Sequence, residues 1–526
     1  MTDKQMKNRF LRQRYLDAWE HYERSLRDEN DIKWDYFILT ASNEAQAEAY
    51  ERQIRYRLEN GLLPTSTTYA VLPDPDGKRI GSGGATLNVL RYLAEQSGGG
   101  SADFQNKRIL VIHSGGDSKR VPQYSAVGKL FSPVPRELPN GLGSTLFDEF
   151  VIAMSGVPAR IRAGMLVLSG DVLLLFDPFQ IDFQNQCAAA LSIEEPVSMG
   201  KNHGVFLCDG SGYVEAFLHK QPEEVLRRKG AVNGKGDVNL DTGAVILGPP
   251  VMNALFSLIS TDGCLDSEKF REFVDEETPL SFYGDFLYPL AKTSALEQYL
   301  EEAAEGAITE KLLARRIRIW EALSGFEMKL LCLAPAAFIH FGTTWELRKL
   351  MTEDVADYEF LDWSRHVVTA GEGAYTAHTA DIGPQAKVEA GAYLEYCHVL
   401  DKAYVQTGAV VSNVILKNAH VESNVVLHGL PLQDGTFVVR IYGVMDNPKA
   451  DHDSGIEFLG TDLRSFLERN GLTGDDLWES DERYLWLAKL YPVCESPEEA
   501  LRMALVVQKM ALGTATKEEI SEWKKS

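Results

Sequence analysis

Beyond residue 380 the chain repeats apolar residues at an interval too long for the alternation of a strand and too regular for a helix. Ile382, Val388 and Leu394 stand six apart. Val405 and Val411 resume the spacing after a slip of one residue, and Ile415, Val421 and Val425 follow it less strictly. Small residues fill the turns between them: Ala386, Gly391-Ala392, Gly408-Ala409 and Ala419. A hexapeptide repeat of this kind winds a parallel β-helix, here expected to be left-handed. One coil cannot bury its apolar edge alone, so several must stack. The repeat predicts such a segment over residues 366–450.

Upstream the texture differs. Phe10, Tyr15, Trp19 and Tyr22 recur at helical spacing among charges, and the run from Asp35 to Thr40 reads as a first buried strand. From residue 80 to 180 the elements alternate. A glycine-rich turn leads into a helix (GSGGATLNVLRYL), and a strand runs from Arg108 to His113. A polar loop, a helix around STLFDEFVIAM and a strand (MLVLSGD) ending at Asp171 follow. Strands alternating with helices predict an α/β, Rossmann-like domain with a mixed, mostly parallel sheet over residues 1–365. Ligands of such sheets bind at the carboxyl ends of the strands, which singles out the loops after His113 and at Asp171. Residues 451–526 predict a C-terminal helical segment. Leu463, Phe466, Leu467 and the amphipathic ALRMALVVQKMAL lead to a solvated end, KEEISEWKKS. Three segments suit a chain of 526 residues.

A net charge of -23 argues against general binding to nucleic acid or membrane surfaces, while leaving room for a local phosphate site. The N-terminus is charged throughout and is no secretory signal. The apolar run Met165–Phe176 is interrupted by Asp171 and is too short to span a bilayer. A soluble, cytoplasmic protein is expected. The six cysteines are scattered without a CxxC pair, which predicts buried free thiols in a reducing compartment.

The segment with the clearest chemistry is Ser114-Gly-Gly-Asp-Ser-Lys-Arg-Val-Pro-Gln-Tyr-Ser-Ala-Val-Gly-Lys129, directly after a strand. Gly115 and Gly116 allow backbone N–H groups to approach a polyphosphate. Ser114 and Ser118 add hydroxyl donors. Arg120 offers a planar fork and Lys129 a point charge. Pro122 stiffens the loop between them.

This pattern resembles the sugar-nucleotide pyrophosphorylase signature, Gly-Gly-x-[Ser/Thr]-x-Arg-x-Pro followed by a distant Lys. More narrowly, the chain resembles the fucose-1-phosphate guanylyltransferase (GDP-fucose pyrophosphorylase) family. That family includes the N-terminal half of bifunctional bacterial fucokinase/GDP-fucose pyrophosphorylases. The segments that carry the narrower match are GSGGATLNVL (81–90), HSGGDSKRVPQYSAVGKLFSPVP (113–135), NHGVF (202–206), FLHK (217–220), SFYGDFLYPLA (281–291), FIHFGTT (338–344) and VVLHGLPL…VVRIYGVMDNPK (425–449). The resemblance implies transfer of GMP from GTP to fucose 1-phosphate with Mg²⁺ as cofactor. In it Gly115, Gly116, Ser118, Arg120 and Lys129 hold the triphosphate. Gly81, Gly83, Gly84 and Thr86 lie beside base or ribose, or form an ordinary strand-to-helix turn.

Asp171 matches the Gly-Asp metal site of these enzymes, with a helix N-cap as the alternative. In Phe338–Thr344, His340 stands where the family often has Asp; a phosphate or sugar contact and a core histidine are both open. Lys220 resembles the lysine that meets the sugar phosphate, with a solvated lysine as its alternative. Asn239, Asp241, Thr242 and Gly243 resemble a turn that binds sugar hydroxyls, Tyr283-Gly284-Asp285 resembles a conformational or sugar-contacting turn, and His203 is a weaker candidate. The implied partners are small substrates, with the repeat and the C-terminal helices as candidate self-association surfaces. Two other functions compete: a hexapeptide acyltransferase and an inactive sugar sensor. Gly141-Leu-Gly-Ser-Thr145 resembles part of a kinase glycine loop, but no other kinase segment accompanies it, and fucokinase activity is not expected.

Overall fold

The computed structural model describes residues 3–100, 106–183, 187–201, 203–304, 306–452 and 455–526. They form two compact units: Met1–Gly116 with Glu149–Ile339, and Asp117–Asp148 with His340–Ser526.

The first unit is built on a nine-stranded sheet. Its strands are β1 (Tyr36–Ala41), β2 (Thr68–Pro73), β3 (Arg108–His113), β4 (Gly164–Ser169), β5 (Ala188–Pro196), β6 (Gly204–Cys208), β7 (Val214–His219), β8 (Asp237–Leu247) and β9 (Met328–Cys332). The main path runs β7-β6-β8-β4-β3-β1-β2, with β5 paired to β8 and to β9. The half from β4 to β2 is parallel. There Ile109, Leu110, Val111 and Ile112 are fully buried, as strands covered on both faces must be. Helices Glu44–Glu59 and Gly81–Gln96 make the crossovers; the first starts at Asn43, whose side chain accepts from Gln46 N–H. The other half makes the sheet mixed, as expected: β8 runs antiparallel to β4, β5 and β6, and β7 to β6, while β9 runs parallel to β5. Only β6 and β7 are joined by a short hairpin, Cys208 to Val214; β8 reaches its partners from far along the chain.

In the second unit, short parallel strands stack in three ladders. One runs through Thr376–His378, Tyr393–Glu395, Val410–Ser412 and Val425–Pro431, the second through Asp381–Ile382, His398–Leu400 and Ile415–Lys417, and the third through Lys387–Val388, Tyr404–Val405 and His420–Val421. Identical positions recur in register: Leu394 on Val411 on Leu427, Ile382 on Val399 on Leu416, Val388 on Val405 on Val421. One inward position differs from the sequence reading: Leu416 is buried where Ile415 was expected, and Ile415 is 45% exposed, whereas Val425 is buried in the core as expected. Left-handed corners at Thr379, Tyr396 and Asn413 close each coil after the first ladder.

The last strand of that ladder turns back antiparallel on Phe437–Gly443. One apolar core runs on from the ladders into helices Leu463–Arg469 and Pro497–Leu512. The end KEEISEW is helical but not merely solvated. Trp523 is buried, and its indole N–H donates to Leu490 O at 3.0 Å. Gly141–Thr145 is no phosphate loop: Gly143–Thr145 pairs as a strand with Pro133–Glu137.

No helix among the described residues is long and apolar enough to cross a membrane. All six cysteines are free, and only Cys397 and Cys494 are buried, so the expectation of buried thiols holds for two.

Candidate active site

Strands β1, β3 and β4 end side by side, with Leu39 opposite Ile112 and His113 opposite Ser169. At these carboxyl ends lies a cavity of about 250 Å³. Its wall contains three glycines singled out in the sequence, Gly81, Gly115 and Gly116. It also contains Thr40, Asp74, Arg79, Ser82, Ala85, His113, Ser169 and Tyr283. Thr40, Asp74 and Arg79 were not foreseen. The signal was available: the strand-end rule applies to β1 and β2 as it does to β3, and Asp74 and Arg79 follow β2 directly.

The glycine turn is itself the first turn of a helix, not a lead into one. Gly81 has φ +75°, and a Cβ there would stand 2.2 Å from Leu280 O. Gly83 N–H donates to that same oxygen at 2.8 Å, and Gly84 lies against Ile80. Gly83 and Gly84 therefore serve close packing of the helix, which fits the ordinary-turn alternative. Thr86 is fully buried; its hydroxyl bonds Ser82 O at 2.9 Å and approaches His113 Nε2 at 3.2 Å. Burial pushes the His113 imidazole down to about 4, so it is neutral near pH 7. Ser114 is also committed inside the unit. Its hydroxyl donates to Thr40 O at 2.7 Å, which removes it from the donors foreseen for a ligand. That bond ties the start of the signature loop to the end of β1.

Beside the cavity, Asp171, Asp241 and Tyr283 form a group. Ser169 Oγ donates to Asp171 Oδ1 at 2.7 Å, and Tyr283 donates to Gly243 O at 3.1 Å. Strand β8 slips register between Asp241 and Ala244, where Gly243 takes φ +71° and its N–H donates to Asp241 at 2.9 Å. The bulge turns the Asp241 carboxylate toward Tyr283. Burial pushes Asp241 up to about 6, partly opposed by the Gly243 N–H. Burial raises the Tyr283 hydroxyl well above its ordinary range, and the charges of Asp241 and Asp171 raise it further. Among the described residues no three His, Cys, Asp or Glu side chains gather in one place. Two carboxylates beside one hydroxyl are what this site provides.

Two of the candidate sugar contacts are engaged inside the unit. Thr242 is 2% exposed, and its hydroxyl donates to Leu191 O at 2.6 Å. Asp285 is 1% exposed and holds the buried Arg316 guanidinium at 2.8 Å. Both are internal fastenings. His203 and Lys220 stay accessible, and the Lys220 N–H donates to His203 O at 3.0 Å. Asn239 is half-buried on β8. Asn202, at the head of NHGVF, lies outside the described residues.

The signature loop passes into the second unit at Asp117. Ser118 is buried there with φ +50°, whereas Arg120 is exposed. Thr344 fixes the Arg120 carbonyl through its N–H (3.1 Å) and hydroxyl (3.0 Å). Lys129 Nζ donates to Gly342 O at 2.6 Å. His340 lies 3.7 Å from Glu346 Oε2. The stretch 340–344 thus meets the cationic half of the loop, a proximity that sequence spacing alone did not reveal.

A bifunctional fucokinase/GDP-fucose pyrophosphorylase from Arabidopsis thaliana is 28% identical over 97% of this chain and 51% of its own length. The chain thus spans about half of that relative. A fucose-1-phosphate guanylyltransferase from Mus musculus is 27% identical over 90% of this chain and 86% of its own. Among solved structures, HddC from Yersinia pseudotuberculosis covers 64% of this chain and 82% of its own at 12% identity, with a TM-score of 0.27, too loose a superposition to bear on the fold. The fucose pyrophosphorylase domain model matches residues 101–496, which take in the signature loop, the Asp171 and Asp241 group and the ladders. The chain belongs to the fucose pyrophosphorylase family.

Proposed function

We propose that the chain transfers the GMP group of GTP to L-fucose 1-phosphate, forming GDP-L-fucose and releasing pyrophosphate. The observation that carries this reading is the family match over residues 101–496, supported by relatives named for that activity. A phosphate oxygen of the sugar attacks the α-phosphorus in line. As the new O–P bond forms, the bond to the β-phosphate bridging oxygen breaks, and its electron pair leaves on pyrophosphate. Positioning and charge neutralisation carry such a step, and no covalent enzyme intermediate is required.

In this reading Gly115, Gly116 and Ser118 supply N–H and hydroxyl donors to the triphosphate, and Arg120 and Lys129 neutralise the charge that develops on it. The cavity at the ends of β1, β3 and β4 receives base and ribose. Asp74 there can accept from the guanine N1–H and 2-amino group, and Arg79 can donate to O6 and N7. Lys220 is the candidate for the phosphate of the sugar substrate, and His203 and Asn239 are candidates for its sugar. Mg²⁺ prefers one or two carboxylates completed by phosphate oxygens and water, which suits Asp171 with Asp241. When bound it would add positive charge at the phosphates. The ladders are read as a left-handed parallel β-helix, and the protein as cytoplasmic.

The test is pyrophosphate release across GTP, ITP, ATP, UTP and dTTP, each with a panel of sugar 1-phosphates. Release is expected with GTP and fucose 1-phosphate. Release confined to UTP or dTTP would overturn the substrate assignment, and turnover of acetyl-CoA without pyrophosphate release would overturn the reaction class.

A further inference from the structure

The three ladders of the second unit differ in what covers their outward side chains. On the second and third, these residues meet solvent: Asp381, His398, Ile415, Lys417, Lys387 and His420 are exposed. On the first they are all buried. Tyr393, Glu395, Ser412 and His428 are at most 1% exposed, although each points away from the apolar core that Leu394, Val411 and Leu427 fill. A polar face of this kind is buried only where something specific is fastened to it.

What fastens to it is the signature loop. Tyr124, 3% exposed, donates to Glu395 Oε2 at 2.6 Å, and Tyr393 donates to the same oxygen at 2.7 Å. Arg440, on the strand beside His428, donates through Nη2 to Ser125 Oγ at 2.6 Å and to Pro122 O at 3.4 Å. Its Nε donates to His428 Nε2 at 3.2 Å, and its guanidinium lies 4.3 Å from the centre of the Trp486 ring. The fastened residues, Pro122, Tyr124 and Ser125, stand between Arg120 and Lys129. Backbone bonds within the loop, Tyr124 N–H to Val121 O and Gly128 N–H to Tyr124 O, carry the constraint outward in both directions.

We propose that Glu395 and Arg440 are positioning residues, which hold the loop so that Arg120 and Lys129 are presented in one fixed geometry. The ladders then act as a template for the phosphate loop. This inference rests on the role proposed above for those two cations, and it gives the repeat a part in the reaction through geometry alone. A site that neutralises developing charge loses rate steeply when its donors are misplaced by an ångström.

The experiment combines kinetics with amide hydrogen exchange on Tyr124→Phe, Arg440→Met and the conservative Glu395→Gln. The first two remove a fastening. Glu395→Gln keeps a carbonyl oxygen to accept from both tyrosines. Tyr124→Phe and Arg440→Met are expected to lower kcat about tenfold, leave KM for fucose 1-phosphate within about twofold, and speed exchange at the loop amides 121–132 but not in the ladders. Glu395→Gln is expected to retain at least about half of wild-type kcat. A fall in melting temperature with unchanged kcat and loop exchange would make these residues merely structural and overturn the proposal. If wild type releases no pyrophosphate from any substrate pair, the functional reading fails on its own. Loop exchange then still decides whether the ladders hold the loop.

Discussion

Replacing Asp285 by alanine separates a structural role from a sugar-binding one. Arg316 is fully buried and Asp285 is 1% exposed. The carboxylate accepts from Arg316 Nε at 2.8 Å and from Ser281 N–H at 2.6 Å. The rest of the guanidinium is spent on the carbonyls of Tyr299, Leu300, Glu302 and Ala303. Alanine would leave a buried positive charge with carbonyl dipoles but no counter-charge, a defect worth about 3–5 kcal/mol. The orphaned Ser281 N–H adds about 1–3 kcal/mol, and the two overlap because one carboxylate serves both. A loss of about 4 kcal/mol is expected. Urea unfolding followed by tryptophan fluorescence reads this through Trp320, whose ring lies 5.8 Å from that of Tyr299. The midpoint should fall by about 1–2 M. Asp285→Ala/Arg316→Met should recover much of the loss, since an apolar pair of similar volume replaces a buried ion pair at little cost. The reasoning is refuted if Asp285→Ala unfolds within about 1 kcal/mol of wild type while KM for fucose 1-phosphate rises.

Three further outcomes are expected. The His113 imidazole, held down to about 4 by burial, stays neutral in the fold while the unfolded chain takes up a proton below about 6.5. Its contribution is therefore present above that pH and lost as pH falls toward 4, so His113→Gln should show a smaller drop in urea midpoint than wild type between pH 7 and pH 4. His378 and His428 shift the same way and remain in the variant, so only part of the drop should vanish. Asp171→Asn should lower pyrophosphate release on the order of a hundredfold and weaken activation by Mg²⁺; an unchanged Mg²⁺ titration would reject its metal role. Trp523→Ala should cost about 3–5 kcal/mol in the second unit, read by its thermal unfolding, whereas a freely solvated terminal helix would lose almost nothing.

Apolar runs such as Arg108–His113 were legible as strands because burial on both faces leaves no other composition. The six-residue spacing pointed to the ladders but misjudged one inward residue, Ile415. Val414, Ile415 and Leu416 are all apolar, and only the corner at Asn413 decides which one points inside. The signature segment Ser114–Lys129 and Asp171 stand out in the sequence as local patterns. The internal partners of Asp285 and Thr242, Arg316 and Leu191 O, come from distant segments that no local motif announces. For Gly83 and Gly84 both readings stayed open for the same reason: glycine required by packing and glycine required by a ligand look alike in a sequence. Asp74 and Arg79 were missed because the strand-end rule was applied to β3 and β4 and not to β2, whose end lies beside that of β1 at the cavity.

The second unit draws on two stretches of chain, 117–148 and 340–526, with most of the first unit's residues between them. On the ribosome, Tyr124 emerges long before Glu395 exists. The loop must wait, with its apolar neighbours uncovered, until the repeats have been synthesised. A nascent chain stalled before residue 395 should therefore expose 117–148 to chaperones and proteases. Any attempt to express the ladders from residue 340 onward would also leave their buried polar face open to water.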